Sequence, residues 1–420
     1  MPKQTSHHPA HPSRCWSAIL LLLVCLPRVG IDLYLPSLPA MAAALHASDA
    51  QLQLTLTWYM AGSALSMLLC GPLADRYGRR PVLLAGAALY LLASVACACA
   101  NTAPLLIGAR ILQALGGGSG TVIGRVMVRD RLEPGAQART LGRLSMGMAL
   151  SPIVAPLAGS LIDAALGWRW VFIALSLLAA LALALTASSA LVPETRPRQA
   201  EAGLPGAADA APRGALRLYL ALLGDAYFMR YSLAIGFVYC TYFPFIAASS
   251  LLLQRTMHLS ASAYALVFGL TVAGYLSGSA LFRRLCARHG GERLLSGAVA
   301  LNLAGAALLG AATTLYPAAH PASLAALCAP MLLIMLSVGI AIPACQLAVL
   351  QPYAALAGTA SGLFFFIQMA ITALCGAILA QLSDGSARPM VCVTGAASLA
   401  FGATWLAFRR PFVRAQTICK

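Results

Sequence analysis

The sequence predicts an all-α membrane protein of twelve transmembrane helices in two six-helix bundles, with both termini on the cytoplasmic side. Three observations predict it. The 420 residues are 60% hydrophobic and only 10% charged, where a soluble domain carries about 25% charged residues. The excess apolar residues gather in blocks of roughly 20, the length that crosses a bilayer core. The basic residues between those blocks are unevenly shared, as the positive-inside rule requires.

Reading apolar blocks between charges and turn formers gives spans at 16–38, 51–70, 82–100, 104–126, 141–162, 169–192, 226–250, 262–282, 294–314, 322–345, 356–381 and 389–408. Of the 28 Lys and Arg residues, only Arg169, Arg255 and Arg388 fall in the outer loops, and Arg28, Arg110, Arg125 and Arg230 fall in or at the ends of spans. The rest occupy cytoplasmic segments. The N-terminus has the outline of a signal peptide, with Lys3, Arg14, an apolar run from Cys15 and small residues at Ala42–Ala44. Arg28 and Asp32 interrupt that run, so an uncleaved first helix is expected.

The stretch 193–216 is the longest polar segment and is rich in Pro, Ala and Gly. It divides the chain into an N-terminal bundle (1–192), a cytoplasmic linker and a C-terminal bundle (217–420). An even split with a flexible linker is what a two-bundle transporter requires, because each half must rock against the other.

The net charge of +16 does not indicate nucleic-acid binding. The arginines sit in short loops and form no basic domain face, so contact with anionic lipid accounts for them. The 12 cysteines lie mostly inside apolar blocks, with no CxxC spacing or Cys/His cluster. There a thiol acts as a small hydrophobe; no metal and no cofactor are expected. Gly116–Gly120 follows no strand and has no Lys-Ser/Thr after it, so close helix packing, not phosphate binding, is expected of it.

The strongest local pattern is Gly71-Pro-Leu-Ala-Asp75-Arg-Tyr-Gly78-Arg79-Arg80-Pro81 between spans two and three. As a tight cytoplasmic turn, it would use Gly71 for close helix contact, Gly78 for an unusual backbone angle, and the arginines to hold the loop inside. A generic basic loop explains the arginines but not the spacing. Here the sequence resembles the major facilitator superfamily, whose loop signature has this form. Further motifs narrow the resemblance: Asp32-Leu-Tyr34-Leu-Pro36-Ser-Leu-Pro39, Arg110-Ile-Leu-Gln113, Val128-Arg129-Asp130, Pro152-Ile-Val-Ala-Pro156-Leu-Ala-Gly159, Gly167-Trp168-Arg169-Trp170 and Pro193-Glu194-Thr195. Together they look like the bicyclomycin/chloramphenicol-resistance (Bcr/CflA) family of drug:proton antiporters, specifically in the first half and more loosely in the second. The stretch Gly278–Arg293 looks like a degenerate copy of the first-half loop, without its Asp.

Asp32 is the acidic residue placed well within a span. A carboxylate there costs roughly 2.5–3.5 kcal/mol on insertion scales, which makes it a functional candidate by default; a hydrated position near the outer mouth is the plainer alternative. All seven histidines fall outside the spans, so Asp32 is the candidate proton carrier. Arg110 is its expected partner. Both lie about six residues from the outer end of their spans, roughly 9 Å deep, and in the fold that the sequence resembles these spans line one cavity. Snorkelling to the surface is the other reading of Arg110. Arg28 lies at i,i+4 from Asp32, on its face, and departs from the family pattern. Either it holds Asp32 permanently, or a switched pairing among Arg28, Arg110 and Asp32 couples protonation to conformation; the second is the working expectation.

Tyr34 and Gln113 within those motifs, and Tyr239, Tyr242 and Phe243 of span seven, are candidate substrate-binding residues; for the aromatic set, a packed interfacial belt is the equal alternative. The gating loop is read as Gly71, Asp75, Gly78, Arg79, Arg80 and Asp130. The resemblance implies that Arg79 pairs with Asp130 in one state, and it marks Pro152, Pro156 and Gly159 as the antiporter helix. The expected function is proton-coupled efflux of small amphiphilic, neutral or weakly acidic compounds such as phenicol-type drugs, by alternating access in the bacterial inner membrane. Proton-coupled symport of a metabolite is the alternative. The expected partners are a small-molecule substrate, protons and the lipid bilayer, with no nucleic acid, and the protein is expected to be a monomer. It is not expected to be an enzyme, because the chain has no HExxH and position 121 is Thr where GxSxG would need Gly.

Overall fold

The computed structural model of the chain describes residues 14–195, 218–316, 322–350, 352–353 and 357–407. Most of the expected linker and the basic C-terminal tail lie outside these residues. Among the described residues the regular structure is helical. In chain order it comprises α1 (Arg14–Asp32), α2 (Leu38–Ala44), α3 (Asp49–Tyr77), α4 (Arg79–Ala98), α5 (Ala103–Arg131), α6 (Pro134–Leu166) and α7 (Trp168–Ala187). Then come α8 (Ala226–Cys240), α9 (Phe243–Leu251), α10 (Ala261–His289), α11 (Gly291–Leu315), α12 (Ser323–Leu350), α13 (Ala357–Leu382) and α14 (Arg388–Ala407).

Eleven stretches among the described residues are long and apolar enough to cross a membrane; Cys15–Ala44 joins α1 to α2, and Ala226–Thr256 joins α8 to α9. They fall on eleven of the expected spans. The remaining one, 104–126, is the 29-residue α5, where Arg110, Arg125 and a glycine-rich middle dilute the apolar residues.

Two spans are broken, and they are the first and the seventh of the expected spans. The first is expected to run unbroken over 16–38, yet α1 stops at Asp32 and a 3-10 turn covers Leu35–Ser37 before α2. Pro36 and Pro39 have no N–H to continue the ladder and disfavour the helical region in the residue before each. Span seven breaks at Thr241–Tyr242, just ahead of Pro244 in α9, and then passes into a π turn at Leu252–Thr256. An echo between the halves lies in the turns. Gly78 between α3 and α4, Gly167 between α6 and α7, Gly290 between α10 and α11, and Gly385 between α13 and α14 all have positive φ, from 76° to 99°.

The glycine run of α5 fits three neighbours at once. A Cβ on Gly118 would lie 2.2 Å from the Ser66 hydroxyl of α3, one on Gly116 2.6 Å from the Gly86 carbonyl of α4, and one on Gly120 2.3 Å from the Leu23 carbonyl of α1. Only hydrogen fits there, so the backbones approach closely. α3 packs on α5, α4 on α5 and α7, and α1 on α5 and α6; in the second half α12 packs on α10 and α11, and α8 on α13 and α14. The main contacts between the halves are α3 with α13 and α6 with α10, and α9 also meets α2 and α3.

Candidate functional site

Asp32 is the last residue of α1, at the helix break, and is fully buried. Its Oδ2 accepts from Arg28 Nε at 3.0 Å and from Ser151 Oγ, on α6, at 2.9 Å. Its Oδ1 is buried with no hydrogen-bond partner, so one oxygen of the carboxyl is left open to a proton. Arg28 forms the ion pair with a side chain 17% exposed, and its Nη1 also donates to the Tyr239 hydroxyl of α8 at 3.1 Å. One guanidinium therefore ties the acid of the first half to a phenol of the second. Tyr239 and Tyr242 stack obliquely with ring centres 4.7 Å apart.

The expected pairing of Arg110 with Asp32 is not made. Arg110 Nη1 donates to the Gly30 carbonyl at 2.9 Å and to Gln113 Oε1 at 2.6 Å. Its guanidinium lies between the Tyr34 and Tyr59 rings, 4.3 and 4.2 Å from their centres. Gly30 belongs to the last turn of α1, whose carbonyls have no helical partner and carry the negative end of the helix dipole. Arg110 thus fastens the helix end that presents Asp32. Equal depth brought both residues to one level, but it did not fix the direction in which either points.

The same enclosure holds two candidate substrate residues inside the first half. Gln113 Nε2 donates to Ser94 Oγ at 2.8 Å, and the Tyr34 hydroxyl bonds Thr55 Oγ1 at 3.0 Å; both side chains are fully buried. Tyr239, Tyr242 and Phe243 line the break between α8 and α9, and Tyr239 is the one bonded to the acid cluster. Ser151 is the residue that sequence reasoning missed. Its signal, a small hydroxyl just before Pro152 in an apolar helix, is weak.

α6 crosses the α1 break closely. It stays helical through Pro152 and Pro156, and a Cβ on Gly159 would lie 1.8 Å from the Leu33 carbonyl.

At the other end of α3, Arg79 pairs with Asp75 and, through Nε, with Asp130 Oδ2 at 3.2 Å. Gly78 makes the turn with φ +99°. Glu194, quoted in its motif but given no role, accepts the backbone N–H groups of Arg79 at 2.9 Å and Arg80 at 3.0 Å. It thereby caps the start of α4, where a negative charge is favoured. Arg80 donates to the Thr186 carbonyl at 3.3 Å and to that of Ala187, closing the end of α7. Gly71 corrects the reading of close helix contact. Nothing lies within 4 Å of a Cβ built there, because Gly71 lies on the outward side of α3, beside the exposed Pro72 and Leu73, while Cys70 and Ala74 on the other side are buried.

Residues 20–377 match the family model described as Major Facilitator Superfamily. The chain belongs to the major facilitator superfamily. Members of that superfamily are transporters, not enzymes, and this one is a multi-pass membrane protein. Among its relatives, the multidrug resistance protein MdtL of Escherichia coli O9:H4 (strain HS) is 41% identical over 175 residues, 42% of this chain and 44% of the relative. MdtL of Shigella boydii serotype 18 (strain CDC 3083-94 / BS512) matches to the same extent. The match thus spans less than half the length of these relatives. In the solved structures, a D-xylose-proton symporter superposes with a TM-score of 0.73 at 16% identity, covering 93% of this chain and 97% of that one. A bacterial homologue of the human lysosomal transporter Spinster, inward-facing and occupied, superposes with a TM-score of 0.70 at 16% identity, covering 97% and 99%. At these identities, the likeness establishes the major facilitator fold alone.

Proposed function

We propose that this major facilitator protein is a proton-coupled antiporter that exports small amphiphilic compounds, neutral or weakly acidic, by alternating access. In this reading α5 is the twelfth span, residues 1–192 and 217–420 are two six-helix bundles, and both termini are cytoplasmic. The protein works as a monomer in a bacterial inner membrane, within the Bcr/CflA family of drug:proton antiporters. The partial match to MdtL supports the drug-export direction.

The observation that carries the reading is the Asp32–Arg28–Tyr239 chain. Asp32 is fully buried, shares one oxygen with Arg28 and Ser151, and has the other unpartnered, while Arg28 reaches the opposite half. A proton on Asp32 removes the charge that holds Arg28. An arginine so released shifts its bonding with Tyr239, and the contact between bundles changes with it. Protonation and bundle position are then two readings of one equilibrium. Arg110 acts as a positioning residue for the α1 terminus. The Asp75/Arg79/Arg80/Asp130 loop, with Glu194, latches the cytoplasmic side.

The test is movement of chloramphenicol, a neutral amphiphile, in everted membrane vesicles under an imposed pH gradient, beside the drug tolerance of an efflux-deleted bacterium expressing the protein. Antiport predicts drug movement against the proton flow and raised tolerance. The D-xylose-proton symporter fold likeness keeps one second reading in view: solute moving with the protons, and no gain in tolerance, would favour symport.

A further inference from the structure

Four arginines lie in or at the ends of the spans, and three of them find oxygen acceptors. Arg28 has Asp32, Arg110 has the Gly30 carbonyl and Gln113, and Arg230 has Glu292 at 3.5 Å and the Trp405 carbonyl at 3.4 Å. Arg125 differs. Its Nη2 reaches the Met148 sulfur at 3.2 Å, and its guanidinium carbon lies 5.9 Å from the centre of the Phe365 ring. Among the described residues it has no carboxylate within ion-pair distance and no oxygen acceptor. A thioether and a ring face 5.9 Å away are weak company for five N–H donors. A guanidinium in a membrane protein interior is costly unless an anion or a polar partner meets it.

Arg125 does not escape that cost by reaching for the membrane surface. Met148 lies seven residues, roughly 10 Å, inside the expected span 141–162, and Phe365 belongs to α13 in the opposite half. The guanidinium therefore points into the seam between the halves. That seam is open along one face of α1: Leu21, Cys25 and Arg28, spaced as successive turns, are partly exposed, while Leu20, Leu23 and Val24 are buried. Gly147 of α6 packs at the same level, where a Cβ would lie 2.6 Å from Leu21 and 2.9 Å from Cys25. Going along α1 towards the buried Asp32, the open face offers Cys25 and then Arg28, which pairs with the acid. A solute entering from the Arg79 end thus meets the Arg125 guanidinium before the Arg28–Asp32 pair.

We propose that Arg125 is the specificity-determining residue of the passage and that it selects cargo bearing a carboxylate, with Phe365 and Met148 contacting the apolar body. This inference rests on the transport reading above and deepens it: among the neutral and weakly acidic amphiphiles that the protein moves, those bearing a carboxylate bind most tightly. A monoanionic or dianionic amphiphile gains a charge-assisted, two-point contact with the guanidinium. A lipophilic cation meets repulsion from Arg125 and from Arg28, against the single carboxylate of Asp32, which is buried and already paired.

The test uses two dyes that share a xanthene frame, the carboxylate fluorescein and the cation rhodamine 6G. Their binding to the full-length protein in lipid nanodiscs is read by fluorescence anisotropy at neutral pH with no gradient. Fluorescein is expected to bind saturably and more tightly than rhodamine 6G. Arg125→Met, close in length and apolar, is expected to weaken fluorescein binding at least tenfold while the thermal unfolding temperature holds or rises. Arg125→Lys, which keeps the charge but not the fork, is expected to weaken it less. Undiminished fluorescein binding in Arg125→Met, or a preference of the native protein for rhodamine 6G, would overturn the inference. Because no gradient is applied, failure of proton coupling shows separately, as binding without uphill movement.

Discussion

Ser151 holds Asp32 through a single hydroxyl, and Arg28 holds the same oxygen from the other side. A hydrogen bond to a charged group is worth about 1.5–3 kcal/mol, and about 1.4 kcal/mol is tenfold in an equilibrium. We therefore predict that Ser151→Ala slows gradient-driven transport about tenfold, while Ser151→Thr, which keeps the hydroxyl, stays near the native rate. Vesicle transport rates check both; a native rate in Ser151→Ala would remove Ser151 from the site. At this scale the sequence exposed Asp32 because a lone acid in an apolar span is conspicuous, and Arg28 because i,i+4 spacing fixes the shared face. It did not expose Ser151, since a serine in a membrane helix is ordinary, nor the true partners of Arg110. Depth along a helix is legible from residue count, whereas the azimuth of a side chain depends on how helices pack.

Helix contacts carry their own predictions. Gly159 lies against the Leu33 carbonyl, whereas Gly71 has open space. Gly159→Val forces the two backbones apart and is expected to lower the unfolding temperature of the purified protein sharply, since overpacking costs typically 1–3 kcal/mol or more. Gly71→Ala is expected to leave it unchanged or raise it, because alanine stabilises a helix by about 1 kcal/mol over glycine. A thermal melt of both variants decides; equal destabilisation would contradict the packing described for α3 and α6. At the end of α3 opposite the Arg79 loop, Arg255 pairs with Asp49 at 2.6 Å and Gln254 donates to the Pro36 carbonyl at 2.9 Å. These bonds cross between the halves and hold that end closed. An exposed pair contributes at most about 1 kcal/mol, so Asp49→Arg is expected to change transport only several-fold. The swap Asp49→Arg with Arg255→Asp should restore it; no restoration would show that the pair itself is not the fastening. The broken spans were only partly legible: Pro36, Pro39 and Pro244 mark where a helix can stop, but an unbroken hydrophobic run hides whether it does.

Across the whole molecule, the apolar blocks and the uneven arginines were enough to locate the helices, because membrane length and loop charge are strong constraints. They could not show that α3 with α13 and α6 with α10 form the seam, since contacts between distant helices leave no periodicity in either. Across that seam Arg28 touches Tyr239, and there the charge of Asp32 meets the packing of two halves. The most direct measurement compares native and Asp32→Asn protein in proteoliposomes, following chloramphenicol exchange at equal pH and its uphill movement under an imposed pH gradient. The asparagine keeps the shape of the side chain but cannot gain or lose the proton. We predict that exchange at equal pH persists while uphill movement is lost. Uphill movement at the native level in Asp32→Asn would contradict proton coupling through this residue.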